Sequence, residues 1–233
     1  MNDNDAGASP GRYVLRPHLV ATDSVNDEVD PQSVHEMKHP AAREVADLLA
    51  TQQDLAFVLE ACDSLSDLPA DPHARQFFAR ALWSSALVAY ARCFATGKRL
   101  GLTEADVRKV HPEEEALAFH RKIIDQRNKH IAHSVNASEF IKIGVMVGSI
   151  RSEDEEGVTG LTTLFGSYWE PHPATVNSLQ RLADEMLTVA MNRATAQTPA
   201  LLAVADEAGL ETIKTWPQLD HQPGPVDPHK VRD

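Results

Sequence analysis

The chain has 233 residues, 42% of them hydrophobic, and its 34 acidic residues outnumber its 22 basic ones, which gives a formal net charge of −12. This length and composition allow a full buried core, and no apolar run approaches the roughly 20 residues that a membrane-spanning helix needs. Because no secretory signal precedes the first predicted helix either, we expect a cytoplasmic globular protein that does not bind a membrane.

Composition predicts three segments. Residues 1–38 mix Asp, Asn, Ser, Pro and Gly with little hydrophobic periodicity, so we expect a flexible N-terminal arm. Residues 39–216 contain the amphipathic patterns and form the predicted domain. Residues 217–233 contain four prolines and no apolar stripe, which predicts a disordered C-terminal tail.

The first two predicted helices have clear starting signals. Pro40 begins an amphipathic pattern that continues to about residue 64. Asp71 followed by Pro72 is typical of a helix start, because the carboxylate can accept from free backbone N–H groups and proline fits the first turn. The second helix is apolar nearly all round from residue 77 to 94 and is predicted to end at Gly97, as the central buried helix. The two cysteines of the chain fall on apolar faces of these helices, which predicts buried, reduced thiols.

Two further helices are predicted before the middle of the chain. Thr103, with Asp106 three residues later, has the pattern of a capping box for a short helix. The fourth helix begins at Pro112. Its apolar residues recur every seven positions along one stripe, which the helix should bury: Leu117, Ile124 and Ile131.

Residues 127–133 are the most informative part of the sequence, because an arginine, an amide and two imidazoles fall within two helical turns. His120, Arg127 and Asn128 each lie three or four positions from an aliphatic residue of the stripe, so they share its face. An unpaired buried cation costs several kcal/mol. The arginine is therefore expected to face a counter-ion, a water-filled cleft or a ligand at a subunit interface.

The two histidines of this stretch differ in their position relative to Arg127. His130 follows three residues later and shares its face, whereas His133 follows six residues later and is rotated by roughly 240° on an ideal helix. Arg127 and His133 can form one site only if the helix loosens near residues 134–136, or if the two side chains meet across a two-fold axis between subunits.

A change of hydrophobic period after the fourth helix predicts a β-hairpin over about residues 140–167. Residues 140–150 are rich in Ile and Val, and a second such run follows the acidic, glycine-containing connection 152–157. A two-stranded hairpin is marginally stable alone, so we expect it to rest on the helices. It is either a plain structural element, a wall of the cleft or an extension of a dimer interface.

The last predicted helix begins after Pro171 and Pro173, and Pro199 is predicted to interrupt and restart it. The following residues are expected to pack back through Trp216. Together these patterns predict a mainly α fold of four to six helices, with a β-hairpin inserted after the fourth.

The stretch from Arg127 to His133 resembles the signature of the HEPN domain family, which consists of small all-helical domains found in bacterial toxins, phage-defence systems and RNA-processing nucleases. That signature is an arginine, commonly followed by a polar residue, and a histidine after four to six arbitrary residues. Here Asn128 follows the arginine and five residues separate it from His133. The match covers seven residues closely, and the helical context of about residues 40–210 only loosely.

The resemblance implies a HEPN-like helical bundle and a metal-independent endoribonuclease that acts as a homodimer in a toxin or phage-defence context. It implies that Arg127 holds the scissile phosphate, that Asn128 orients the phosphate or the histidine, and that His133 is the general acid or base. His130 and His120 are candidate auxiliary residues. The expected partners are a second copy of the chain, RNA, and an antitoxin or other protein; neither a metal nor a cofactor is expected.

Two alternatives stay open. A non-catalytic HEPN-like dimeric interaction module fits the overall acidity of the chain, although residues 73–142 contain 12 Lys and Arg against 7 Asp and Glu, whereas the remainder contains 10 against 27. A metal site is the second alternative, with His130 and His133 as ligands joined by His120 or Asp125. The sequence lacks a glycine-rich phosphate loop and a GxSxG nucleophile motif, which argues against nucleotide hydrolases and serine hydrolases.

Overall fold

The computed structural model describes residues 33–95, 99–131, 139–149, 156–167 and 171–219. This part of the chain contains six α-helices and one antiparallel pair of strands, so the predicted mainly α fold with an inserted hairpin is confirmed. It divides into two compact units. The larger unit comprises residues 46–194, and the smaller one combines residues up to 45 with those from 195 onward.

Helices α1 (Pro40–Ser66) and α2 (Pro72–Cys93) begin where their signals predict. The carboxylate of Asp71 accepts a hydrogen bond of 2.7 Å from the backbone N–H of Ala74, which satisfies one of the free donors at the start of α2. Burial is concentrated in the second half of α2: in the first half Ala79 is buried, whereas Phe77 is 67% exposed. The prediction of an all-round buried helix is therefore wrong for its first turns.

The end of α2 was predicted at Gly97, but the helix ends four residues earlier, at Cys93. The reason is a tertiary contact. The backbone N–H of Leu102 donates to the carbonyl of Cys93 at 2.7 Å, so the returning chain satisfies a carbonyl that a longer helix would have used. A Cβ atom at Gly101 would lie 2.6 Å from the same carbonyl oxygen, so this close return requires glycine.

Helix α3 (Glu104–Val110) starts with the predicted capping box. The carboxylate of Asp106 accepts from the backbone N–H of Thr103 at 2.8 Å and from its hydroxyl at 2.9 Å. Two donors at the start of a very short helix are thereby satisfied.

Helix α4 (Glu114–Gln126) leads directly into the predicted motif, residues 127–133. Its buried residues are Leu117, His120 and Ile123, whereas Ile124 is only half-buried. The predicted seven-residue stripe is thus correct at Leu117, but its second position is displaced by one residue, from Ile124 to Ile123, because burial on α4 follows a three-residue spacing. The side chain of Ile131 lies outside the described residues.

A single hydrophobic cluster joins the helices of the larger unit. It includes residues of α1, α2, α3 and α4 and of the first part of α5 (Pro173–Ala208), which places the second half of α2 among the other four helices. The largest fully buried side chains of this cluster are Leu55, Leu87, Tyr90, Leu117, Ile123, Leu179 and Met186.

The two cysteines are both buried and unpaired, as predicted. The thiol of Cys93 donates to the carbonyl of Ala89 at 3.3 Å. Burial raises the pKa of Cys62 and that of Cys93 to about 12. Both thiols therefore remain protonated in the folded protein at neutral pH.

Strands β1 (Glu139–Ser149) and β2 (Glu156–Ser167) form the predicted hairpin. Its register pairs Ile143 with Thr163 and contains a bulge next to Met146. None of the hairpin side chains whose exposure is described is buried. The expectation that the hairpin rests on the helices is thus wrong for these side chains.

Helix α5 continues through Pro199 without interruption, which corrects the predicted restart. Proline removes one N–H donor from the helix, but the residues that follow it are mainly Ala and Leu, which favour helix strongly enough to continue the turn. A short helix α6 (Leu210–Ile213) follows Gly209, whose φ of 75° suits glycine.

The smaller unit contains a local pairing between segments that are far apart in sequence. His35 and Gln218 form an isolated antiparallel bridge, and the N–H of Glu36 donates to the Pro217 carbonyl at 2.8 Å. The Nδ1 atom of His35 donates to the carbonyl of Trp216 at 3.0 Å. These contacts join the end of the predicted arm to the start of the predicted tail; the remainder of both lies outside the described residues.

Candidate functional site

A cleft of about 660 Å³ lies in the larger unit beside the HEPN-like residues. Its walls are the end of α2, the start of α3, and the second half of α4 together with the turn that follows it. The lining is rich in charge and includes three arginines. Its polar members are Arg92, Thr103, Glu104, His120, Arg121, Asp125, Arg127 and Asn128.

The helix changes its geometry at the arginine of the predicted motif. After Gln126 the α-helix gives way to a π-helical turn over Arg127–Ile131. Such wide turns inside helices are rare and occur frequently at functional sites. Loosening near residues 134–136 was one of the two ways in which His133 could join Arg127, but residues 132–138 lie outside the described part of the chain, so that prediction remains untested.

Arg127 is half-buried and lines the cleft. Its Nη1 donates to the Oδ1 of Asn128 at 3.0 Å, while its Nε is buried and makes no hydrogen bond. Within the described ranges, no carboxylate forms an ion pair with this guanidinium. The nearby carboxylate of Asp125 pairs with Lys129 at 3.0 Å instead.

The other two arginines of the cleft have acidic partners. Arg121 makes two hydrogen bonds to Glu104, of 3.0 Å and 2.6 Å, and these bonds lower the pKa of the Glu104 carboxyl. Arg92 lies 3.4 Å from Asp54 of α1. Positive charge on the cleft wall is therefore least compensated at Arg127.

His120 lies between the cleft and the core. Its Nδ1 shares a hydrogen bond of 2.9 Å with the hydroxyl of Tyr90, and its ring contacts the ring of Phe94 at a centroid distance of 4.4 Å. Burial lowers the pKa of His120 below its ordinary value and raises that of Tyr90. At neutral pH the imidazole is thus uncharged and the phenol protonated.

The structure brings three of the five predicted site residues to one cleft. Arg127, Asn128 and His120 line it together. The backbone of His130 belongs to the π-helical turn, but its side chain, like the whole of His133, lies outside the described residues. The roles that the resemblance implies for the five residues remain predictions.

Sequence reasoning missed the residues that surround this group. Arg121 with Glu104, and Tyr90 with His120, are pairs of residues 17 and 30 positions apart. No periodic pattern marks such pairs, because each depends on how two helices pack. Arg92, which also lines the cleft, was missed as well. The only sequence signal for Tyr90 and Arg92 was their position close to the predicted end of α2.

Neither a metal cluster nor a membrane-spanning helix is found in the described part of the chain. There, no group of three or more His, Cys, Asp and Glu side chains is arranged to hold a metal ion. The metal site that the sequence left open depended on His130 and His133, whose side chains are not among those described. Nor is any helix of the described ranges both long and apolar enough to cross a bilayer.

A second cleft, of about 470 Å³, lies between α4 and α5. His111 on its wall donates a hydrogen bond to the carboxylate of Glu185 and lies 3.8 Å from that of Glu113. Glu115, Ser178 and Arg181 are further polar residues of its lining. None of the predicted site residues lines this cleft.

Comparison of the chain with protein-family models, with curated proteins and with solved structures finds no match. The resemblance to the HEPN family therefore depends on the motif residues alone, and the function must be argued from the cleft itself.

Proposed function

We propose that the protein is a metal-independent endoribonuclease of HEPN type that acts as a homodimer in a toxin or phage-defence context. The observation that supports this best is Arg127, whose guanidinium lines the cleft without a carboxylate partner among the described residues and with an unsatisfied buried Nε. A guanidinium with unused donors suits the oxygens of a phosphate, which it can bind through two parallel hydrogen bonds.

The proposed reaction needs a proton acceptor, a proton donor and a positive charge. The ribose 2′-oxygen attacks phosphorus, the bond to the 5′-oxygen breaks, and the products are a 2′,3′-cyclic phosphate and a 5′-hydroxyl. Arg127 stabilises the negative charge that grows on the non-bridging oxygens. His133, from the same chain or from a second copy, takes the proton of the 2′-hydroxyl or gives one to the 5′-oxygen, for which an imidazole is suited at neutral pH.

The neighbouring polar residues have supporting roles in this proposal. Asn128 accepts from Arg127 at 3.0 Å and so orients the guanidinium. His120 has a supporting role and does not itself transfer a proton. Its Nδ1 shares a hydrogen bond with Tyr90, and its neutral ring adds no charge to the cleft wall. His130 is an auxiliary candidate by its position in the π-helical turn.

A non-catalytic HEPN-like dimeric interaction module is the second candidate. Glu104 and Asp54 neutralise two of the three arginines of the cleft, and the whole chain carries a net charge of −12. Both features weaken long-range attraction for a polyanion. In this reading a protein partner, for example an antitoxin, occupies the cleft in place of RNA.

Cleavage of RNA in the presence of a chelator tests the proposal directly. Purified wild-type protein should cut RNA and leave cyclic phosphate ends, and Arg127→Ala and His133→Ala should each abolish the cleavage. Arg108→Ala and His73→Ala are matched controls, because they remove the same side chains from exposed positions outside the cleft and should cleave like wild type. Activity that the chelator removes would favour the metal site.

Salt-dependent RNA binding separates the two candidates when no cleavage is seen. Losing one phosphate contact should reduce the slope of log affinity against log salt by about 0.7 for single-stranded RNA. We expect that reduction for Arg127→Ala and an unchanged slope for Arg108→Ala. Equal slopes in all three proteins, together with absent cleavage, would contradict the nuclease and favour the interaction module.

A further inference from the structure

The β1–β2 hairpin has one aliphatic face. In the register of the two strands, alternate positions fall on the same side of the ribbon. The bulge next to Met146 keeps the pair Val147 and Val158 on the same side as Val145. We call this side the aliphatic face. Its aliphatic members are Ile141, Ile143, Val145, Val147, Val158 and Leu161, and Thr163 lies among them opposite Ile143.

The six aliphatic residues of this face are between 59% and 70% exposed. At about 80 Å² for each such side chain, the face presents roughly 500 Å² of apolar surface, as much as the largest apolar patch on a typical monomer. The patch is contiguous, because neighbouring members are cross-strand partners or lie two positions apart on one strand. A hairpin of two strands is marginally stable in water, so a cover over this face would stabilise it.

The opposite face of the ribbon is different. It carries Lys142, and its glycines leave room for cross-strand neighbours: a Cβ at Gly160 would lie 2.8 Å from the end of the Met146 side chain. Leu164, opposite Lys142, is a further large apolar residue on this side. Only the aliphatic face therefore has the uncharged centre that is typical of a protein interface.

We propose that the aliphatic face packs against the same face of a second copy of the chain. Charge supports a second copy: in the register of the two strands, the acidic residues of this side, Glu139 and Glu156, fall at the two ends of the ribbon, so the centres of two such faces meet without burying a charge. Area supports it as well. Two faces together bury about 1,000 Å², the lower limit for a specific interface, which predicts a reversible dimer.

A face-to-face arrangement follows from two-fold symmetry, because the same patch then serves both subunits. Stacked sheets pack about 10 Å apart, a distance that Ile, Val and Leu side chains fill from both sides. A lipid surface fits less well, since membrane-binding faces have basic and aromatic borders and Lys142 lies on the opposite side. This inference does not depend on the proposed nuclease activity.

Sedimentation of the full chain over about two orders of magnitude in concentration tests the dimer. Wild type should pass from monomer to dimer, and Ile143→Glu should remain a monomer at every concentration. Leu164→Glu is the matched control: it places the same charge on the opposite face, beside Lys142, and should dimerise like wild type. Helical circular dichroism should be the same in all three proteins.

Cross-linking gives a second measurement that does not depend on a charged substitution. The two native thiols are buried, so Val145→Cys adds one accessible thiol in the centre of the face. Oxidation should give a disulfide-linked dimer, whereas Leu164→Cys should give little. The proposal would be overturned by a wild type that stays monomeric, or by an Ile143→Glu variant that dimerises normally. A monomeric wild type that binds neutral lipid vesicles through this face would overturn it as well.

Discussion

The buried imidazole of His120 makes the stability of the protein depend on pH in a predictable direction. Its side chain is only 3% exposed, shares a hydrogen bond with Tyr90 and packs against Phe94. Burial lowers its pKa, and the nearby charge of Arg121 lowers it further, although Glu104 acts in the opposite direction. The folded protein therefore takes up the proton at a lower pH than the unfolded chain does.

The sign of the effect follows from proton uptake. An unfolded histidine is protonated near pH 6.5, so below this pH the unfolded state binds more protons than the folded state and becomes relatively more stable. The loss of folding free energy is at most about 1.4 kcal/mol for each pH unit between the two pKa values. From about pH 7.5 to about pH 5.5, His120 should thus lower the free energy of unfolding, by no more than about 1.4 kcal/mol.

Urea denaturation of three proteins measures this contribution. His120→Gln removes the titrating group, whereas His73→Gln removes an exposed histidine of α2 and serves as the control. Over that pH range the free energy of unfolding should fall further in wild type and in His73→Gln than in His120→Gln, by up to about 1.4 kcal/mol. Parallel curves for wild type and His120→Gln would refute the assignment of a neutral, buried imidazole.

Two further substitutions test the packing around the cleft. Tyr90→Phe leaves Nδ1 of His120 buried without its partner, so the free energy of unfolding in urea at pH 7.5 should fall by about 1 to 3 kcal/mol, and an unchanged value would contradict the buried hydrogen bond. Gly101→Ala places a methyl group 2.6 Å from the Cys93 carbonyl and should lower the thermal midpoint through a loss of about 1 to 3 kcal/mol. Gly148→Ala, whose nearest contact would be 3.5 Å, should leave that midpoint nearly unchanged, and equal effects of the two alanines would argue against the close chain return.

Local signals predicted much of the fold. The starts of α2 and α3 depend on Asp71 and on the Thr103–Asp106 capping box, which act over a few residues and can be read from sequence. The hairpin was predicted for the same reason, since its period differs from that of the helices. The end of α2 was missed because the chain return through Leu102 determines it, nine residues further on.

The candidate site was predicted only in part. The shared face of His120, Arg127 and Asn128 followed from helical spacing, and the structure places all three on one cleft. The π-helical turn was not predicted, because no residue type specifies it. Nor could the sequence show that Arg121 and Arg92 have acidic partners while Arg127 has none within the described ranges, since such partners come from other helices.

The two cysteines offer a way to follow opening of the core without a label or a mutation. They are the only thiols of the chain, and both are buried with a pKa of about 12, so only about one thiol in ten thousand is ionised at pH 8 while the protein is folded. Alkylation then proceeds only as fast as α1 and α2 expose Cys62 and Cys93. A time course of thiol modification, read by mass spectrometry, therefore reports the opening rate of the native helical core.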